Sequence, residues 1–220
     1  MIPISDSVKS RGFPIFTVLL IALNVVVFLL ELSSPNPDAF IQQYSLIPKL
    51  VNFSDTSTLL PFVTAMFLHG GFLHIASNML FLWVFGDNIE GYFGAIFFLF
   101  LYLVSGIVGN LVQYILMPGS LIPMLGASGA IAGVLGSYFL LFPHSKIKTL
   151  LPIFFFITFV DIPATFMIGY WFFLQIISGV TSLSAAADSG GIAFFAHIGG
   201  FATGIVLTIL LRPFLNYQRG

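Results

Sequence analysis

The sequence predicts an all-α integral membrane protein, a bundle of six transmembrane helices with both termini cytoplasmic. Three observations lead there. Only 7% of the 220 residues are Asp, Glu, Lys or Arg, and the mean hydropathy is +1.07. A soluble globule cannot cover its surface with so little polar area. Residues free of those four types run over 12–30, 56–86, 91–145, 162–187 and 189–211. The few cations also gather almost entirely on one side of the predicted helices.

A bilayer core about 30 Å thick needs roughly 20 apolar residues per helix. The first run gives a helix over about 13–32 and the second one over about 72–90. The run 91–145 is too long for one span and breaks at Pro118-Gly119-Ser120, with Pro123 following, so it holds helices at about 95–116 and 126–142. The last two runs give helices at about 163–179 and 191–211. Two apolar stretches do not fit as spans. Leu59–Leu68 contains Pro61 and leads into the second helix, partly submerged against protein. Leu150–Val160, rich in β-branched and aromatic residues, is too short to span and is expected at the interface or on the approach to the fifth helix.

With six spans, Lys9, Arg11, Lys146, Lys148, Arg212 and Arg219 share a side and only Lys49 lies opposite. That bias places the termini in the cytoplasm. Residues 1–220 are expected to form a single multi-pass membrane domain. The first span is too long, and lacks a small-residue cleavage site, for a removable signal peptide. The loop at about 33–58 faces outward, and no additional soluble domain is expected. The absence of cysteine excludes disulfide and thiolate chemistry, and a net charge of −1 argues against a nucleic-acid partner. The four histidines have no clustered carboxylates or cysteines, so neither a metal nor a cofactor is expected.

The chemistry lies in three of the helices. Ser128 stands in Gly126-Ala127-Ser128-Gly129, and His197 in Ala196-His197-Ile198-Gly199-Gly200. An ionisable ring inside a membrane is costly and marks a functional site. Beside a serine in a glycine-rich turn, it suggests a nucleophile and its base. His74 and Asn78 share one face of the second helix, where two donors can stabilise an oxyanion. Glu90, Lys146 and Arg212 mark the inner ends of helices two, four and six. His74, Ser128 and His197 lie 16, 18 and 15 residues from them. At 1.5 Å per residue these are roughly 24, 27 and 23 Å, a common level in the outer part of the membrane. No carboxylate completes a triad: Asp87 and Asp161 lie toward the inner side, and Asp188 is nine residues before His197. The arrangement reads as a Ser-His dyad, with the histidine oriented by packing. Gly129, Gly133, Gly136, Gly199, Gly200 and Gly204 let helices four and six approach closely.

Each residue alone has a plainer explanation. The Ser128, Ala132, Gly136 stripe suits helix packing, and a lone His197, His74 or Asn78 suits interhelical hydrogen bonding worth about 1 kcal/mol. Their agreement in depth argues against that explanation for the set. Asn24, Asn110 and Gln113 have no such partners and read as packing glue. His69 reads as a structural hydrogen-bonder before helix two, and His144 as an ordinary loop residue. A channel or transporter would spread its polar groups along the membrane depth.

Four blocks together resemble the rhomboid intramembrane serine proteases: His69-Gly70-Gly71-Phe72-Leu73-His74 with Asn78; Gly86 to Glu90; Gly126-Ala127-Ser128-Gly129; and Ala196-His197 with Gly200 and Gly204. The resemblance extends from about Leu59 to Gly204, with helix one also in place. It implies a basic six-helix prokaryotic form, located in a prokaryotic cytoplasmic membrane, in which Ser128 is the nucleophile and His197 the general base. His74, Asn78 and the Ser128 N–H would form the oxyanion hole, and Glu90 would be a structural carboxylate. The substrates implied are membrane proteins with helix-destabilised transmembrane segments, cut near the outer face of the lipid bilayer. An inactive client-binding relative is the alternative, and such a protein is expected to have lost Ser128 or His197. Some family members carry a tyrosine four residues after the serine, stacked on the histidine; here the position is Ala132. Some carry Trp-Arg in the first outer loop; here it reads Leu60-Pro61.

Overall fold

A computed structural model describes residues 1–153, 156–184 and 192–217. In chain order the elements are β1 (Ile2–Asp6), α1 (Ile15–Ser33), α2 (Pro37–Tyr44), α3 (Pro61–Thr64), α4 (Phe72–Phe93), α5 (Ala95–Leu116), α6 (Ser128–Leu141), β2 (Lys146–Ile153), β3 (Phe156–Pro163), α7 (Ala164–Ser184) and α8 (Phe194–Tyr217). The long helices fall close to the predicted ranges. Four of them, α1, α5, α7 and α8, are long and apolar enough to cross a membrane. Thr56–Phe67 and α4, bent by 76° at the break between them, make a fifth candidate. The Leu59–Leu68 stretch is that bent approach, with Pro61 opening its one-turn helix. α6 has only 14 residues, about 21 Å of helix against a core of about 30 Å, so length does not make it a sixth span.

The fold is not all-α, which corrects the sequence expectation. Lys146–Pro163 forms an antiparallel hairpin, paired from Lys146 with Pro163 to Ile153 with Phe156, and β1 adds to its other edge in the order β1-β2-β3. The β-branched and aromatic residues that marked Leu150–Val160 as unusual suit a strand. Helix α6 stops at Leu141 because Phe142 precedes Pro143 and leaves the helical region at φ −128°. Lys146 therefore begins a strand, and does not mark the inner end of a helix. Asp6 pins β1 to the bundle: its carboxylate accepts hydrogen bonds from the Tyr138 hydroxyl and the Asn88 amide. Burial holds the Asp6 carboxyl above its ordinary pKa, against hydrogen bonds from Tyr138 and Val8 that pull it down.

α6 is the axis of the core. Residues Gly129 to Tyr138 are buried on every side, as expected of a helix that is apolar all round. α8 lies against it with backbone touching backbone. A methyl group added at Gly200 would sit 2.0 Å from the Gly129 carbonyl oxygen, and one at Gly204 would sit 1.9 Å from that of Gly133. One at Gly136 would meet the Phe201 carbonyl at 2.3 Å. The Ser137 hydroxyl donates across the seam to the Gly204 carbonyl at 3.2 Å. Gly199 does not belong to this seam; it faces Val112 of α5.

Two carboxylates bolt α1 to the ends of α4. Glu90 accepts from the backbone N–H groups of Phe16 (2.9 Å) and Thr17 (2.8 Å) and from the Thr17 hydroxyl (2.8 Å). Pro14, which precedes α1, gives no side-chain cap, so Glu90 satisfies N–H groups that a helix start leaves unpaired. At the other end, buried Glu31 accepts from the His69 N–H at 3.2 Å. Replacing Glu90 by Ala orphans three donors at once and is expected to cost about 1–3 kcal/mol. The check is thermal unfolding in detergent micelles, where Glu90→Ala should melt clearly below the wild type.

Candidate active site

Ser128 is the first residue of α6, so its backbone N–H has no partner inside the helix and points out of the positive end of the helix dipole. The turn that delivers it runs through Gly126 at φ +124°, a conformation that side chains rarely tolerate. The Gly126 N–H donates to the Ala65 carbonyl at 2.8 Å, tying the turn to the approach of α4.

His197 lies in the first turns of α8. Gln113 of α5 fixes where that helix starts: its Oε1 accepts from the N–H groups of Phe195 (2.9 Å) and Ala196 (3.2 Å). Gln113 is therefore more than the general packing glue the sequence suggested, because it caps the helix that carries His197. The close α6–α8 contact brings His197 Nε2 to 2.7 Å from Ser128 Oγ. Across the ring, Nδ1 lies 2.8 Å from Gln175 Oε1 on α7. Trp171, one turn earlier on the same face, packs its ring on the imidazole at 5.7 Å between centroids. Trp171 thus supplies the packing that a tyrosine at position 132 would give elsewhere; Ala132 itself is fully buried in the core.

His74 and Asn78 face the same point. They line a cavity of about 510 Å³ together with Ser128, Trp171 and His197. His74 Nε2 lies 2.8 Å, and Asn78 Nδ2 3.6 Å, from where a side chain at Gly126 would begin. Among the described residues the buried Asn78 amide nitrogen makes no hydrogen bond, so a donor is turned into the cavity with nothing to donate to. His69 is fully buried and sets its ring edge-on to His74 at 5.1 Å, backing that side chain from behind.

The structure thus brings together Ser128, His197, His74 and Asn78, with Gly126 inside the site and Gly200 and Gly204 in the seam that holds it. Gly129 lends its carbonyl to the seam, and a methyl there would meet only ordinary contacts. Glu90 caps α1 at the end of α4 remote from His74. Asn110 ties α5 to Phe62 through a 2.9 Å hydrogen bond, as packing glue should. Sequence reasoning missed Gln175 and Trp171. The available signal was Gln175 itself, the one amide in α7, spaced one turn from a tryptophan. Asp188, Gly190, Gly191 and Arg219 lie outside the described residues. Thr181 to Ser184, beyond the predicted helix at about 163–179, complete α7. Among the described residues no three His, Cys, Asp or Glu side chains come together to hold a metal ion.

Gly126 is the residue whose replacement tests this geometry most sharply. Gly126→Ala must strain the backbone and push against the His74 ring. In Gly126→Ala, displacement of His74 and Asn78 should be visible as changed amide and imidazole resonances in NMR spectra. A control at Gly119, where a methyl meets nothing, should leave those resonances in place.

A comparison with family models matches the Rhomboid domain over residues 56–214. The chain is 34% identical over 204 residues to "Rhomboid protein 1, mitochondrial" of Saccharomyces cerevisiae, covering 91% of this chain and 54% of that protein. It is 37% identical over 134 residues to "Rhomboid protease GluP" of Bacillus subtilis, covering 60% of this chain and 25% of the other. It is 31% identical over 151 residues to the human "Presenilin-associated rhomboid-like protein, mitochondrial", covering 66% and 36% respectively. The chain therefore spans between a quarter and about half of the curated relatives it matches. Two of these three relatives are mitochondrial by name, so the comparisons do not support the prokaryotic cytoplasmic membrane expected from the sequence. They and the apolar helices do support an integral membrane protein. The match over most of the chain makes this protein a member of the rhomboid family.

Proposed function

We propose that this protein is an intramembrane serine endopeptidase that cuts transmembrane segments of other membrane proteins. The observation that carries the reading is the 2.7 Å contact between Ser128 Oγ and His197 Nε2 inside a bundle of apolar helices. In the proposed reaction His197 Nε2 takes the serine proton as Oγ attacks the scissile carbonyl carbon. The carbonyl oxygen becomes an oxyanion and is held by His74, Asn78 and the Ser128 N–H, a role supported by the cavity that the three residues line together. His197 then gives its proton to the leaving amine, and water releases the acyl group by the same steps. No external cofactor takes part in these steps.

The reading extends to topology. Six spans would place the strand-bearing, Lys- and Arg-rich end of the bundle on the cytoplasm-equivalent side, with both termini, and the Ser128 site toward the opposite face. Substrate approach is supported by a second cavity of about 260 Å³ between α4, α6 and α7, which shares Phe81, Leu135 and Trp171 with the site. α7 packs on α8 and α6 and makes no extended contact with α4, so a substrate helix can reach Ser128 between those two helices. A helical peptide bond is shielded by its own hydrogen bonds, so Gly, Pro or Ala near the cut should favour cleavage by easing local unwinding.

The test is cleavage of a reconstituted single-pass membrane protein whose transmembrane segment carries such residues. Ser128→Ala and His197→Ala should each reduce turnover by on the order of 10⁶-fold, abolishing detectable cleavage, with the double variant little worse than either. Appreciable turnover by Ser128→Ala would refute the assignment. Wild-type activity should rise with pH as the imidazole becomes neutral, the form that accepts a proton; an unperturbed ring does so at about pH 6.5.

A further inference from the structure

We infer that Gln175 of α7 is a positioning residue that locks His197 in the tautomer and orientation needed to accept the Ser128 proton; this rests on the serine-protease reading above. The geometry assigns each hydrogen. Gln175 Nε2 lies 3.4 Å from the Trp171 carbonyl oxygen, which can only accept, so the NH₂ end of the amide faces its own helix. Oε1 is left facing His197 Nδ1 at 2.8 Å. A carbonyl oxygen cannot donate, so Nδ1 carries the imidazole proton. Nε2 is then the bare nitrogen, and it is the one facing Ser128 Oγ at 2.7 Å. The alternative tautomer would set the Gln175 lone pairs against a bare Nδ1 and an N–H against the serine. Serine hydrolases commonly give this orienting task to a carboxylate. In an apolar helix a charge is costly, and a neutral amide does the same orienting without one.

The surroundings of His197 leave the task to Gln175. From α4 the titratable group turned toward the cavity is His74; α6 presents Ser128, α5 presents the neutral Gln113, and α7 presents Gln175 and Trp171. Among the described residues no carboxylate lines this cavity. Trp171 packs the ring but offers Nδ1 no acceptor. Gln175 and Trp171 sit one turn apart on α7, the helix with the least buried surface of the long helices, so this helix holds the imidazole from behind through one hydrogen bond and one ring contact.

The experiment compares the wild-type chain, Gln175→Met and Gln175→Glu in liposomes, measuring kcat, KM and the pH profile of cleavage. Methionine keeps the length and loses the acceptor; glutamate keeps the acceptor. Partners that orient a metal-bound imidazole through its other nitrogen are worth about 10–100-fold, and the same order is expected for this neutral acceptor. Gln175→Met should lose that much in kcat with KM near the wild-type value. Gln175→Glu should restore most of kcat and move the midpoint of the pH profile upward, because an anionic neighbour favours the imidazolium. Wild-type kcat in Gln175→Met, or equal damage in both variants, would overturn the inference and leave Gln175 a link between α7 and α8. If Gln175→Met does not fold, the Gln175→Glu midpoint decides alone, and an unmoved midpoint overturns the inference. Ser128→Ala runs in parallel: if it cleaves like wild type, the serine-protease reading itself has failed, whatever Gln175 does.

Discussion

The backbone contact between α6 and α8 is the constraint on which the site depends. Gly200 and Gly204 press against the carbonyls of Gly129 and Gly133 so closely that no side chain fits between them. In a membrane, where apolar burial gives helices little reason to associate, such close packing and the hydrogen bonds it permits hold a bundle together. The consequence is local and chemical. Ser128 begins α6 and His197 lies one turn into α8, so the seam fixes both at one end, 2.7 Å apart. Without the glycines the helix axes would separate by more than a hydrogen bond can span.

The rest of the bundle solves the problem of polar groups in lipid. Every helix end exposes N–H or C=O groups that lipid cannot satisfy. Glu90 answers this at the start of α1, Gln113 at the start of α8, and Glu31 at the His69 N–H before α4. These side chains come from neighbouring helices, so satisfying the backbone also fixes the relative heights of helices. The convergence of His74, Ser128 and His197 on one cavity follows from that arrangement.

Much of this was legible in the sequence because lipid imposes long apolar runs. The helix over 95–116 was read with the bounds the structure shows, and the site quartet was found because polar residues in apolar helices stand out. The hairpin Lys146–Pro163 was not legible as strands: alternation is confined to Lys146–Thr149, where the lysines are exposed and Ile147 and Thr149 buried, and the apolar residues Leu150, Leu151, Pro152 and Ile153 that follow carry no period. That miss made Lys146 a poor ruler for Ser128, although the convergence it suggested exists. Gln175 and Gln113 escaped for another reason. An amide is a common interhelical link, and only the three-dimensional neighbour shows that one of them faces His197 and the other caps its helix.

The account's central claim is that His197 activates Ser128. It is tested most directly by exposing the reconstituted protein to a fluorophosphonate probe and mapping the adduct by mass spectrometry. The account predicts a single covalent phosphonyl adduct on Ser128, absent in Ser128→Ala and strongly slowed in His197→Ala, while labelling of the wild type speeds up as the imidazole loses its proton. An unlabelled Ser128 in folded wild-type protein, or labelling that is indifferent to His197, would contradict it.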